Sequence, residues 1–156
     1  MELEAIDREE QSLALQRFDA EDAWWLGCHL RERGAAAGVP IAIEIRRAGT
    51  RLFSALLPGA TADNLGWIDR KIALVMRFER SSYVTRLKFD AAPPGAFDRF
   101  GLDPRTHVAA GGAVPIRIAG TGVIGAVAIS GLTQEEDHLY AVEALAALKA
   151  HQESRA

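Results

Sequence analysis

An α+β fold, with helices packed on a central antiparallel sheet, follows from three features of the sequence. The first is an alternating stretch in which Ile41, Ile43 and Ile45 oppose Ala42, Glu44 and Arg46, before Ala48-Gly49 turns the chain into Leu52–Leu57. The second is Val114, Ile116 and Ile118 alternating with Pro115 and Arg117, then Gly120-Thr121-Gly122, then the apolar run Val123–Ile129. Period-two alternation marks strands, and neither turn has room for the helical crossover that a parallel pair needs. The third is a long amphipathic stretch from about Ala62 to Arg80, with Leu65, Ile68, Ile72 and Val75 in one stripe.

In chain order, Leu3 to Phe18 is expected to be helical. Asp19 then reads as an N-cap with Asp22 at the third helical position, opening a helix through Ala23, Leu26, Gly27 and Leu30 that fades at Gly34–Gly38. After Pro40 comes the first hairpin, closed by Pro58-Gly59. The central helix follows, with Trp67, Leu74 and Phe78 widening its stripe. Ser81-Ser82 breaks it, Tyr83–Phe89 adds a helical turn or two, and Pro93-Pro94-Gly95 stops the chain again. Residues 98–107 read as loop with a short helix. After the second hairpin, Thr133-Gln134-Glu135-Glu136 has the form of a capping box opening a last helix on Leu139, Val142, Leu145, Ala146 and Leu148. His151 falls in its tail.

At 156 residues the chain has the length of one domain, spanning 1–156. A formal charge of −3 argues against a general nucleic-acid binder. The acidic MELEAIDREEQ start is unlike a signal peptide, and apolar runs are too short for a membrane span, so a cytoplasmic location is the expectation. A lone cysteine, Cys28, excludes an intrachain disulfide and a thiol-rich zinc site.

Gly120-Thr-Gly122-Val-Ile-Gly125 matches the dinucleotide-binding pattern by letter, but it leads into a strand rather than a helix, so it is read as a turn. Gly125 is read as room for another backbone to approach. Gly66, Arg70, Ala73, Arg77 and Arg80 fall on one helical face, where forked guanidinium groups would suit a carboxylate or phosphate, with Lys71 just off the stripe. The competing view is a solvated face. Glu135, Glu136 and Asp137 are read as capping acids. His138 is expected to be biased towards its neutral form, available as a base or an iron ligand, and His107 lies in a loop where site residues gather. Ser130-Gly131 resembles a nucleophile turn but is read as structural, and the tryptophans as core or interface. No side-chain set with metal-site spacing is present in the sequence, and no catalytic residue is assigned.

GGAVPIRIAGTGVIGAVAISGLTQEEDH, from Gly111 to His138, resembles the C-terminal signature of the haem-degrading/GlcG/HbpS-like superfamily. DNLGWIDRKIALVMRFERSS, from Asp63 to Ser82, resembles the hallmark of its UPF0303-type branch. The resemblance implies a profilin-like fold with a central antiparallel sheet and a homo-oligomer, dimeric at least. Superfamily members bind haem or help degrade it, and others sit beside glycolate-utilisation enzymes. The chain departs from the haem-associated members at Trp67–Lys71 and Ser81-Ser82, and no catalytic set carries over.

The expected function is therefore a non-enzymatic module binding a small anionic ligand. Arg70, Lys71 and Arg77 would hold the anion, Asn64 and His138 would orient it, and backbone amides at Gly111 and Gly112 would approach it. Haem binding or degradation, with His138 or His107 on iron, and a protein-interaction scaffold are the alternatives.

Overall fold

The computed structural model describes residues 2–155. Strands β1 (Ala42–Arg47), β2 (Thr50–Leu56), β3 (Ala113–Ile118) and β4 (Gly122–Ser130) form an antiparallel sheet in the order β2-β1-β4-β3. Both hairpins are as the alternation requires. Strands β1 and β4 meet at the centre: Ile43 lies opposite Ile129 and Ile45 opposite Val127. The α+β class stands.

Period two gives the sheet two chemically different faces. One carries Ile43, Ile45, Val114, Ile116, Val127 and Ile129, all buried. Helix α2 (Ala20–Ala37) covers it with Ala23, Leu26 and Leu30, and α6 (Gln134–Ser154) with Ala141, Leu145 and Leu148. The other face is alanine: Ala42, Ala113, Ala126 and Ala128. Against it α3 (Ala62–Phe78) sets Ile68, Ile72 and Val75. Small side chains below and branched ones above let this helix lie close to the sheet. Each fully buried aliphatic side chain contributes roughly 1.5–3 kcal/mol.

The helix boundaries follow from local chemistry. The Asp19 cap is a full capping box, with Asp19 accepting from the Asp22 N–H at 2.9 Å and Asp22 returning the bond to Asp19 at 2.9 Å. Gly38 ends α2 in the left-handed region at φ 66°. Thr61 opens α3 with Asn64 at the reciprocal position. The box at Thr133 is only half made. Its hydroxyl accepts from the Glu136 N–H at 3.2 Å but donates back to the Glu136 carboxylate at 2.8 Å, so that carboxylate does not reach the Thr133 N–H.

Two boundaries differ from the sequence reading. Helix α1 spans only Leu3–Gln11. Ser12 closes it through its hydroxyl to the Glu9 carbonyl, and Leu13, Leu15 and Phe18 then enter the core in an extended segment. Leu15 donates to the Arg117 carbonyl and accepts from Ala119 N–H, both at 2.8 Å, so this segment runs along the outer edge of β3. Burying three apolar side chains and pairing a sheet edge outweighs one more helical turn. Helix α3 ends at Phe78, with Glu79 left-handed at φ 57°.

Ser81 then starts α4 (Ser82–Ala91), accepting from Val84 N–H at 3.0 Å. The buried Glu10 carboxylate of α1 accepts from Ser81 N–H at 2.6 Å, which ties the two helices together. Ser81→Ala is expected to cost about 1–2 kcal/mol, the upper part of the N-cap range, because the Val84 N–H would be left buried without a partner. Urea denaturation of the variant against the parent measures it. A short helix α5 (Ala96–Arg99) starts two residues before the stretch expected to be loop with a short helix and overlaps it at Asp98 and Arg99.

Gly120 and Gly122 are turn residues at φ 78° and 115°. Gly125 continues β4 opposite Arg47, and a Cβ there would overlap the Arg46 carbonyl oxygen. The dinucleotide pattern is thus a turn followed by a strand.

Candidate functional site

Helix α3 presents Ile68, Lys71, Ile72 and Val75 to the sheet. Lys71 is therefore an ammonium on an apolar face, with its side chain 4% exposed. It donates to the Ile129 carbonyl at 3.0 Å and to the Asp137 carboxylate at 3.1 Å. Asp137 sits in the first turn of α6, its side chain 3% exposed, and its other oxygen accepts from Leu132 N–H at 3.0 Å. A carboxylate and an ammonium survive burial only when both are satisfied in this way. Burial pushes the Lys71 ammonium below its ordinary range and the Asp137 carboxyl above its own, so both are driven towards their uncharged forms while their mutual attraction resists.

The pair lies against a cavity of about 320 Å³, also lined by Asn64, Trp67, Ser130, Gly131 and Gln134. Gly112, at φ +137°, lets the backbone pack directly against the amine, since a Cβ there would stand 2.6 Å from Lys71 Nζ. Asn64 donates to the Ser130 hydroxyl at 3.3 Å while its oxygen caps α3. Towards solvent stands Trp67, exposed, with the Arg70 guanidinium 4.4 Å above its ring centroid. Arg70 also donates to the Gly66 carbonyl at 3.3 Å.

Of the residues expected to form a site, Asn64, Lys71 and Gly111 line this cavity, Gly112 borders Lys71, and Arg70 reaches it through Trp67. The Gly111 N–H is not turned to a ligand but donates to Gln134 Oε1 at 3.1 Å. Arg77 belongs elsewhere: it is exposed and donates to the Phe100 carbonyl at 2.9 Å. Arg80 falls past the helix end and pairs with Asp7 at 3.4 Å. The one-faced arginine stripe therefore disperses to three separate partners, because α3 ends before Arg80 and each guanidinium finds a nearer acceptor.

His138 is 2% exposed and does not line the cavity. Its ring lies 4.9 Å from Tyr83, its Nδ1 has no hydrogen-bond partner, and burial alone lowers its pKa to about 4. The expected neutrality holds, with desolvation rather than the helix dipole as its cause. His107 contacts the Thr106 hydroxyl through Nδ1 at 2.8 Å. His151 is not in a frayed tail; it stacks on Trp25 at 4.5 Å, and His29 also stacks on Trp25, at 5.1 Å.

Asp137 is the residue that sequence reasoning missed, having been assigned to capping. The available signal was register: Asp137, Ala141, Ala144, Leu145 and Leu148 share the buried face of α6, as Lys71 shares that of α3. Glu44 escaped notice in the same way. It is 1% exposed on β1 and pairs with Arg46 and with Arg51, the latter at 3.0 Å.

A four-stranded antiparallel sheet between helices, with a charged pair buried where β4 meets α6, defines an α+β protein with a small polar pocket. Residues 18–146 match the family described as haem degrading protein HbpS-like, and the chain belongs to that family. A UPF0303 protein of Burkholderia thailandensis is 44% identical over 151 residues, 97% of this chain and 92% of the relative. Among solved structures, the Ybr137w protein superposes with a TM-score of 0.89 at 32% identity, covering 97% of this chain and 90% of the other. The PduOC:haem complex superposes at 0.68 with 23% identity, over 83% and 94%. At that identity the likeness is one of fold.

Haem iron requires an axial side chain facing an open slot. His138 is sealed against Tyr83, His107 is engaged by Thr106, and neither lines the Lys71 cavity. His138, sealed in the core, does not fit an axial role in this chain; His107 is engaged only through Nδ1, which leaves its Nε2 without a partner among the described residues, but it lies outside the Lys71 cavity. Among the described residues no helix is long and apolar enough to cross a membrane.

Proposed function

We propose that the chain is a binding module for a small ligand carrying an anionic group, seated in the Lys71 cavity. The observation that carries this is the charge arrangement at the pocket: the lining pair Lys71 and Asp137 balance each other, and a further cation, Arg70, stacks on the lining Trp67 although it does not itself line the cavity. The surplus positive charge therefore lies at the mouth, where an incoming carboxylate meets it first. Asn64, Ser130 and Gln134 supply the remaining polar contacts. A volume of about 320 Å³ suits a ligand of a few heavy atoms. Arg77 and His138 are left out of this site.

Lactate serves as the probe. Arg70→Ala is expected to weaken its binding roughly tenfold or more, as loss of one hydrogen-bonded charge implies, and Arg77→Ala to leave it unchanged. Chemical-shift titration reads both. Equal weakening by the two variants, or no binding of lactate or phosphate by the parent, overturns the reading.

A homo-oligomer is part of the same proposal. Trp24 is 62% exposed and Leu56, on the free edge of the sheet, is 46% exposed, and a second copy would cover such groups. Family membership keeps haem as the second ligand to test. A hemin titration whose Soret change is lost in His107→Ala or His138→Leu would restore the iron-ligand assignment that the geometry disfavours.

A further inference from the structure

We propose that Lys71 is a carbonyl-reactive amine that forms a Schiff base with a small 2-oxo acid, with Asp137 moving the protons. This rests on the reading of the Lys71 cavity as an anion-binding pocket and names its ligand class. Four features of the geometry point to it. Lys71 lines a cavity, although its side chain is only 4% exposed. Gly112 brings bare backbone against the amine with no side chain to displace it, since a Cβ there would come within 2.6 Å of Nζ. A carboxylate lies 3.1 Å from the amine, close enough to take its proton directly. At the rim, Arg70 and Trp67 offer a cation and a flat surface to a planar, negatively charged ligand.

The chemistry balances without an outside reagent. Asp137 accepts one proton from the Lys71 ammonium, leaving a neutral amine and a carboxylic acid. The nitrogen lone pair adds to the carbonyl carbon, the C=O π pair moves to oxygen, and a proton passes from nitrogen to that oxygen. Asp137 then returns its proton to the hydroxyl, which leaves as water while nitrogen forms the C=N bond. The products are one water, a protonated imine and the original carboxylate. Desolvation is what activates such an amine, and the neighbouring acid serves as the proton carrier. Burial moves both groups in the required direction, the ammonium towards losing a proton and the carboxyl towards holding one.

The sequence supplies its own controls, since its only other lysines are Lys88 and Lys149. The full-length protein is incubated with pyruvate and sodium cyanoborohydride, digested and mapped by mass spectrometry. The expected result is a reduced pyruvyl adduct at Lys71 in clear excess over that at Lys88 or Lys149, because burial lowers the Lys71 pKa and so raises its share of free amine. Asp137→Asn is expected to reduce labelling of Lys71 while the two surface lysines stay as they were. A map with equal labelling at all three lysines, or none at Lys71, overturns the proposal, and needs no variant to fold. The lactate titration keeps the two ideas apart. Lactate binding without a Lys71 adduct removes the Schiff base and leaves the anion pocket; no response to lactate and no adduct removes both.

Discussion

Replacing Lys71 with methionine is expected to destabilise the fold by about 3–5 kcal/mol, the cost of leaving a buried carboxylate without its partner. For a chain of this size that corresponds to a fall in Tm of roughly 10 °C. The methionine fills most of the volume, so the loss is electrostatic: Asp137 keeps its bond from Leu132 N–H but loses the ammonium 3.1 Å away. Adding Asp137→Asn to Lys71→Met is expected to recover the larger part. The amide oxygen can still accept from Leu132 N–H, while no charge remains to be desolvated. Urea denaturation of the parent, both single variants and the double variant gives the coupling directly. If the double variant is no more stable than Lys71→Met, the pair does not hold the fold together as described.

Acidification should remove roughly 3 kcal/mol of stability through His138 alone. Its pKa is lowered by burial from 6.5 to about 4, with no charged neighbour contributing. A depressed histidine contributes stability that is fully present above 6.5, where both states are neutral. Between 6.5 and about 4 the unfolded chain takes up a proton that the folded one refuses, and about 1.4 kcal/mol is lost per pH unit. Below about 4 the effect levels off. His138→Leu should flatten this interval relative to the parent. Other carboxyl groups contribute too: Glu10 and Asp137 are raised by burial and favour the fold as they protonate, whereas Asp19 and Asp103, lowered by their hydrogen bonds from an ordinary 3.8, oppose it only at still lower pH. The difference between parent and variant isolates His138. Parallel stability–pH curves from 6.5 to 4 would show that the imidazole is accessible to protons in the fold.

The buried pair also explains why the last hairpin and the last helix meet as they do. Ile129 and Asp137 both bind Lys71, while Leu132 lies between them and donates to Asp137. One ammonium thereby closes the turn from β4 into α6 and fixes both to α3. Lys71 and Asp137 are therefore responsible both for stability and for the proposed chemistry, so labelling and folding should be measured on every variant of either.

The sheet, its two hairpins and the starts of its helices were legible in the sequence because each is set by residues close together in the chain. Alternation of Ile41, Ile43 and Ile45 fixes a strand face, and Asp19 with Asp22 fixes a helix start within four residues. The segment after Gln11 was misread because its apolar residues, Leu13, Leu15 and Phe18, suit a helix as well as the extended path that the edge of β3 rewards. The arginine stripe holds as helical geometry only as far as Arg77, and its members turn to separate partners. Periodicity says which side chains share a face, and nothing about the Phe100 carbonyl or the Asp7 carboxylate that draws each one away.

What the sequence determined alone was the order and kind of the elements and the family signature they carry. Only the tertiary structure decided that Lys71 and Asp137, 66 residues apart, share one buried contact, and that a glycine lets the backbone pack against them. The physical reason is that local propensity acts through neighbours in the chain. The dielectric around a charge, by contrast, exists only after distant segments have excluded water from it.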